Sequence, residues 1–233
     1  TTTISRSFGV DTIAPAAAQI TQAGGSDRTL STASGDNSIR GTTEAGAAVQ
    51  LTLVDSLGVA TLLGTAVADA TGVFTFSLTT AALAALPQGS GLQLIAQTRD
   101  PAGNVTLSSS YSIAVDTVAP AAPTISSIGG TDRTLSSVAG DNEITGTATP
   151  YDNVRLDADV NGSTISLGVA TANGRGVFSY LLTASNLSAL GQGLRSFWAV
   201  VNDAAGNSAT SLASAATVDT INDQLPVVAS VGG

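Results

Sequence analysis

The side chains best placed to do chemistry in this chain are aspartates and asparagines at repeating positions. Asp11, Asp116 and Asp219 each follow Val and precede Thr, at intervals of 105 and 103 residues. Asp100 and Asp203 each open a five-residue Asp-x-Ala-Gly-Asn phrase that closes on Asn104 and Asn207. Asp27 and Asp132 stand in matching Gly-Gly-x-Asp-Arg-Thr-Leu-Ser stretches, and Asp36-Asn37 and Asp141-Asn142 each follow a glycine. Carboxylate and amide oxygens are hard donors. They suit Ca²⁺, which takes six to eight oxygens at about 2.3–2.6 Å in tolerant geometry, better than Mg²⁺, which demands a tight octahedron and keeps its water.

Two readings of these residues stand side by side. An Asp or Asn in a turn commonly accepts hydrogen bonds from its own backbone, and Asp-x-Ala-Gly-Asn makes a good tight turn with no metal. For any one of these acids, that is the expected role. Gathered at one end of a domain, however, carboxylates repel: at about 4–6 Å and an effective dielectric near 20, a close pair costs on the order of 3 kcal/mol. Arg28 or Arg133 could neutralise one of them, but a hard dication suits the group better, so Ca²⁺ is the expected ligand. Glu143, Asp157 and Asp159 have no acidic counterpart in the first copy, where Ser38, Thr52 and Val54 stand, and are expected on solvated faces.

Other chemistries lack their reagents. Cys, Met and His are absent, which removes disulfides, thiolate or imidazole metal sites, Cys or His nucleophile systems and haem ligation by these side chains. There is no Gly-x-Ser-x-Gly elbow and no phosphate-binding Gly-Lys-Ser/Thr loop. Paired carboxylates that cleave glycosides need a cleft, and Asp157 and Asp159 share only a strand face. The chain is therefore expected not to be an enzyme. Eight Lys+Arg against 17 Asp+Glu give a net charge of −9, and all eight cations are Arg. That balance argues against nucleic acid and anionic membrane as partners. A chain 43% hydrophobic and 11% charged can bury a core and is no acidic disordered tail. No apolar run reaches the roughly 18–20 residues of a membrane span, and no signal peptide opens the chain, so a soluble piece without membrane insertion is expected. Zero Cys is compatible with an extracellular bacterial protein.

The acids are carried by a larger repetition, which must be read before any local element. Val10–Pro15 returns as Val115–Pro120, and later phrases return at an offset that shrinks to 103 residues. The expected organisation is the last strand of a preceding repeat over 1–10, repeat one over 11–115, repeat two over 116–218 and the start of a third over 219–233: two whole repeats cut from an array. Within a copy, Gly, Asn, Asp and Pro punctuate runs of Val, Leu, Ile, Thr and Phe roughly every 8–12 residues, as in an all-β sandwich. Expected strands in repeat one are A (Ala17–Gln22), B (Ser38–Thr43), C (Val49–Val54), C′ (Val59–Val67), E (Val73–Leu78), F (Leu92–Thr98) and G (Val105–Val115). Thr79–Leu86 and Thr183–Leu190 read as short helical turns ended by Pro87 and Gly191. The fold class is all-β: two tandem immunoglobulin-like β-sandwich domains of about seven strands each, end to end. Phe197 and Trp198 are adjacent on strand F, so at most one enters the core. Packing in the core or on the sheet face is expected for Trp198 over a sugar-binding platform.

That topology distributes the acids between two poles. Strand G's end and the A–B loop share one pole, and the F–G turn and B–C loop share the other. The junction between the repeats should then gather Asp116, Asp27, Asp36, Asn37, Asp203 and Asn207, with Asp152 and Asn153 in reach. The upstream junction would hold Asp11, Asp100 and Asn104, and the downstream one Asp219, Asp132, Asp141 and Asn142.

The linker phrase Val-Asp-Thr-x-Ala-Pro, the Gly-Asp-Asn before strand B, the turn-Gly-x-Phe at strand E and the Asp-x-Ala-Gly-Asn turn, in that order and seen twice, resemble the tandem bacterial Ig-like repeats of giant type I-secreted (RTX, biofilm-associated) surface adhesins. The resemblance covers essentially all 233 residues. It implies repeats that extend a cell-surface fibre, with Ca²⁺ at domain junctions stiffening it. It carries the ligand role onto Asp11, Asp116 and Asp219 in the linkers and onto Asp100 and Asp203 in the turns. After Asp219 the chain departs from the pattern, with Asn222-Asp223 where Ala-Pro is expected. The expected function is a Ca²⁺-rigidified, monomeric extracellular spacer that contacts neighbouring repeats of its own chain and projects a distal adhesive domain for adhesion and biofilm formation. The alternatives are a glycan- or protein-binding Ig-like module, or an accessory domain of a secreted polysaccharide-active enzyme.

Overall fold

A computed structural model describes residues 9–221. The described chain divides into two compact units. The first runs to Val118 and includes Ala204–Asn207; the second runs from Ala119 to Asp203 and continues from Ser208. The strands expected upstream of Gly9 and downstream of Ile221 lie outside the described residues.

The first unit contains β1 (Gln19–Ala23), β2 (Thr29–Leu30), β3 (Ser38–Thr42), β4 (Ala48–Val54), β5 (Ala60–Val67), β6 (Val73–Ser77), α1 (Thr80–Ala84), β7 (Gly89–Arg99), β8 (Val105–Leu107) and β9 (Tyr111–Val115). A three-stranded sheet in the order β1-β3-β6 faces a larger one in the order β2-β9-β7-β4-β5, with β8 beside β7. Between them lies a core built by alternation: Val49, Leu51 and Leu53 of β4 are buried while Gln50, Thr52 and Val54 face outward. Ile39 and Phe74 close the core from the smaller sheet. The second unit repeats the plan with β10 (Thr124–Ile128), β11 (Thr134–Leu135), β12 (Glu143–Thr147), β13 (Asn153–Val160), β14 (Ser163–Thr171), β15 (Val177–Leu181), α2 (Ala184–Leu190), β16 (Gly193–Asn202), β17 (Ser208–Thr210) and β18 (Ser214–Val218). Its sheets run β10-β12-β15 and β11-β18-β16-β13-β14. Each unit is an all-β sandwich of the immunoglobulin type.

Two features depart from the expected strand list. Strand G is broken in both units, and a serine explains it. The Ser108 hydroxyl accepts from Ala96 N–H at 2.9 Å while Ser108 N–H donates to the Ala96 carbonyl at 2.8 Å, so a side chain replaces one rung of the ladder. Ser211 does the same to Ala199. The two-residue strands β2 and β11 are the other addition: each pairs in parallel with the end of strand G, Leu30 with Val115 and Leu135 with Val218. The short helices form where expected, each capped by a threonine hydroxyl, Thr79 accepting from Ala82 and Thr183 from Asn186.

The cores conserve volume differently. Leu53 faces Leu94 across β4 and β7, whereas Ala158 faces Phe197 at the matching place in the second unit. All four are buried. Phe197 thus takes the core and Trp198 the outer sheet face, half-buried. We expect Phe197→Leu to cost about 1–2 kcal/mol through the cavity it leaves, and Ala158→Leu about 1–3 kcal/mol through overpacking. The double variant recreates the first unit's pair, so urea denaturation should show coupling of at least about 1 kcal/mol. Additive losses would contradict the pairing.

One acid is misplaced by the sequence reading. Asp157 was expected on a solvated face, yet it is only 3% exposed. Its neighbour two residues back explains this: Arg155 folds over it, with Nε 3.0 Å from both carboxylate oxygens and Nη2 2.8 Å from Oδ2.

Candidate functional site: the linker roots and acidic turns

The linker begins where strand G ends, and its first three backbone N–H groups are all satisfied. In the first unit Asp116 N–H donates to the Leu30 carbonyl at 3.0 Å, Thr117 N–H to Gln88 Oε1 at 2.8 Å and Val118 N–H to Asp116 Oδ1 at 3.1 Å. The second unit repeats the set: Asp219 to Leu135 at 2.9 Å, Thr220 to Gln192 Oε1 at 3.1 Å and Ile221 to Asp219 Oδ1 at 3.1 Å. The first three donors of the linker are thus paired within the unit that it leaves. Asp11 caps itself the same way, accepting from Ile13 N–H at 3.0 Å. In all three linker aspartates Oδ2 accepts no hydrogen bond among the described residues.

Gln88 and Gln192 were missed by the sequence reading, although the signal was present. Each sits in a Leu-x-Gln-Gly phrase directly after the residue that ends the short helix. Gln88→Ala should lower the heteronuclear NOE of Thr117 and Val118 amides while costing only about 1 kcal/mol in a melt. Unchanged NOE values would remove the glutamine from the root.

The A–B loop carries its acids at the same end of each unit as the linker root, because β2 lies beside the last residues of β9. Asp27 Oδ1 accepts from Thr29 N–H at 2.9 Å, and Asp36 Oδ2 from the Ser31 hydroxyl at 3.3 Å. A methyl group on Gly25 would fall 2.2 Å from Asp36 Oδ1 and 3.7 Å from Asp27 Oδ1, so both carboxylates close on that glycine. In the second unit Asp132 accepts from Thr134 at 2.9 Å and Asp141 from Ser136 at 3.3 Å. The arginines between these acids do not neutralise them. Arg28 lies 5.0 Å from the centroid of the Tyr111 ring, and Arg133 Nη2 donates to the Ser214 hydroxyl at 2.7 Å. Asn37 and Asn142 turn to strand E instead, their amides donating to Leu78 O at 3.1 Å and Leu182 O at 3.5 Å. Among the described residues Asn142 Oδ1 is buried without a hydrogen-bond partner.

The F–G turns reach back to the linker in front of their own repeat. Asp100 Oδ1 accepts from Gly103 N–H at 2.7 Å and Asn104 N–H at 2.9 Å, and Oδ2 from the Asn104 amide at 2.9 Å. That amide is the main reason the Asp100 carboxyl is held below the usual range. Asn104 Nδ2 also donates to the Asp11 carbonyl at 3.2 Å. Asn207, within the first compact unit, donates to the Asp116 carbonyl at 3.0 Å and approaches its Oδ1 at 3.4 Å. Asp203 opens the matching turn, half-buried. Asp152 has its Oδ2 buried without a hydrogen-bond partner among the described residues.

Asp11, Asp27, Asp100, Asp116, Asp132 and Asp219 therefore each cap a turn, whereas Asp36 and Asp141 accept from serine hydroxyls. Among the described residues no three acidic side chains converge as a preset metal cage. The donors are nevertheless of the right kind. Asp27, Gln88 and Asp116 line one open cleft of about 580 Å³ in the first unit, and among the described residues the one salt bridge is Arg155–Asp157, remote in sequence from these acids. The residues fit a hard cation by chemistry and charge, without a ready-made coordination shell.

No protein-family model matches the chain, and no curated protein sequence does. Comparison with solved structures gives partial likenesses. The tetra-tandem repeat in the extending region of a large adhesion protein is 25% identical, matching 82% of this chain and 48% of that one at a TM-score of 0.34. A structure from a 1.5-MDa bacterial ice-binding adhesin is 24% identical, covering 88% and 65% of the two chains at a TM-score of 0.41. The fibronectin(III)-like modules of Clostridium thermocellum CbhA are 15% identical, covering 87% and 93% at a TM-score of 0.39. The chain thus spans about half to two thirds of the two adhesin structures. No helix among the described residues is long and apolar enough to cross a membrane.

Proposed function

We propose that this chain is a set of extender repeats from a bacterial cell-surface adhesin, acting outside the cell, and that Ca²⁺ bound by its linker and turn carboxylates stiffens it. The observation that carries this reading is the linker root, built twice with the same bonds and each time presenting an aspartate whose Oδ2 accepts no hydrogen bond among the described residues. Backbone pairing fixes where the carboxylate starts, and among the described residues no salt bridge reaches it. Asp116, Asp27 and Asp36 would hold the ion in the first unit, Asp11 and Asp100 would hold one before it, and Asp219, Asp132 and Asp141 one after. Bound Ca²⁺ supplies the charge that lets neighbouring carboxylates stay close. The linker then loses freedom, and partners are the neighbouring repeats of the same chain.

Extracellular modules commonly bind Ca²⁺ in the range of about 10⁻⁴–10⁻³ M, so such sites would stay empty in a cytosol and fill on secretion. A stiff spacer of this kind serves to project an adhesive domain in cell adhesion and biofilm formation. Small-angle scattering tests it: chelation should broaden the interatomic distance distribution, and superimposable profiles with and without chelator would overturn the stiffening role.

A further inference from the structure

The two units share a core and a strand register, but one surface differs between them in kind. On the outer face of the larger sheet in the second unit, Arg155, Asp157 and Asp159 alternate with the buried Val154, Leu156 and Ala158. Cross-strand register sets Asp157 beside Trp198 and Asp159 beside Ser196 on one flank, and Ser166 and Thr164 on the other. In the first unit the same register sets Thr52 beside Ile95 and Val54 beside Gln93. The scaffold is common, and the aromatic–carboxylate combination belongs to the second unit alone.

This surface is built rather than merely exposed. Asp157 is a charge held almost out of solvent on the outward face of a sheet, an arrangement that costs stability relative to an apolar pair. It is gripped by Arg155 and stands as the cross-strand partner of Trp198. Two residues along the same strands, at the Asp159–Ser196 pair, opens a hollow of about 280 Å³ lined by Asp159, Asn161, Leu194, Arg195, Ser196 and Ala215. Its arginine is immobilised, donating to the carbonyls of Leu190, Leu194 and Gln192 at 2.7–2.9 Å. Asp159 spends Oδ1 on Gly162 N–H at 3.2 Å and keeps Oδ2 for an incoming donor.

From this arrangement we infer that the outer sheet face of the second unit, Trp198 with the Asp159–Asn161–Ser196 hollow, binds an uncharged saccharide. An indole face stacks on the C–H surface of a sugar ring, while a carboxylate, an amide and a hydroxyl pair with its hydroxyl groups. A phosphate or acidic ligand is disfavoured by Asp159 and the net charge of −9. A purely apolar partner would leave those polar groups unpaired. Asp157 and Arg155 are positioning residues: they anchor the strand opposite the indole and do not need to touch the sugar. The inference does not depend on calcium.

The single Trp makes the site its own reporter. The full chain is applied to an array of plant, algal and microbial oligosaccharides, and the best-bound oligosaccharide is then titrated while Trp198 fluorescence is followed. We expect saturable binding that shifts the emission, and about tenfold weaker affinity in Asp159→Asn, which keeps the acceptor for Gly162. Trp198→Ile, the residue the first unit uses at this place, should abolish array binding with the melt unchanged. Should that variant fail to fold, Asp159→Asn still decides the matter. No array binding by the parent chain, equal affinity in Asp159→Asn, or retention of a lysine-rich peptide in place of any sugar would each overturn the inference.

Discussion

Gly146→Ala is expected to destabilise the second unit by about 3 kcal/mol or more, the upper part of the range for overpacked cores. A methyl group there would lie 2.0 Å from the Thr124 carbonyl oxygen and 2.4 Å from Cζ of Phe178. Phe178 is buried and Gly146 is its register partner, so the ring has nowhere to go. The carbonyl belongs to the neighbouring strand β10 and can retreat only by opening the sheet. Such a loss is a large share of the about 5–15 kcal/mol that holds a typical domain together. It should lower the melting temperature by more than about 10 °C in a domain of this size. Adding Phe178→Leu should recover only part of it, since the carbonyl clash remains. A Gly146→Ala protein within about 1 kcal/mol of the parent would show that β12 is not packed as described.

Ca²⁺ should raise stability by an amount set by mass action. With a dissociation constant in the range of about 10⁻⁴–10⁻³ M, 10 mM Ca²⁺ contributes about 1.4–2.7 kcal/mol per site. That corresponds to a rise of about 5–15 °C in melting temperature. Asp116→Asn is the sharper variant because its side-chain oxygen can still accept from Val118 N–H while the charge is gone. It should melt close to the parent in chelator and lose in Ca²⁺ the share of the gain that its own site contributes. A variant that keeps the full gain would remove Asp116 from the ligand set.

How much of this could be read in the sequence follows from the range of each interaction. The sandwich was legible because strand alternation and the doubled phrases are local patterns, as in Val49–Val54. The helix caps at Thr79 and Thr183 were legible for the same reason. The break in strand G was not, because Ser108 acts through a rung on β7 that only tertiary contact supplies. Gly41 and Gly146 recur inside strand B and signal close approach, yet what approaches, Phe74 or Phe178, is fixed by the neighbouring strand. Asp157 misled because period-two alternation places it outward without revealing that Arg155 covers it.

The candidate site divides along the same line. Each acid's role as a turn acceptor follows from residues two to four positions away, and the structure shows it at Asp11, Asp27, Asp100, Asp116, Asp132 and Asp219. The Asn104 amide nitrogen is committed to Asp100 and to the Asp11 carbonyl, which orients the side chain. Only its Oδ1 is left for a cation. The glutamine clamp reaches 29 residues along the chain from Gln88 to Thr117, a span at which spacing alone carries no direction.

Crystals of the chain grown in 10 mM Ca²⁺, with anomalous data collected at long wavelength, bear most directly on the claim that the linker aspartates are metal ligands. An anomalous peak with oxygens of Asp116 and its A–B loop partners at about 2.3–2.6 Å is the expected result. Ordered water alone around the Asp116 and Asp11 carboxylates, at full occupancy and in that concentration of Ca²⁺, would contradict it.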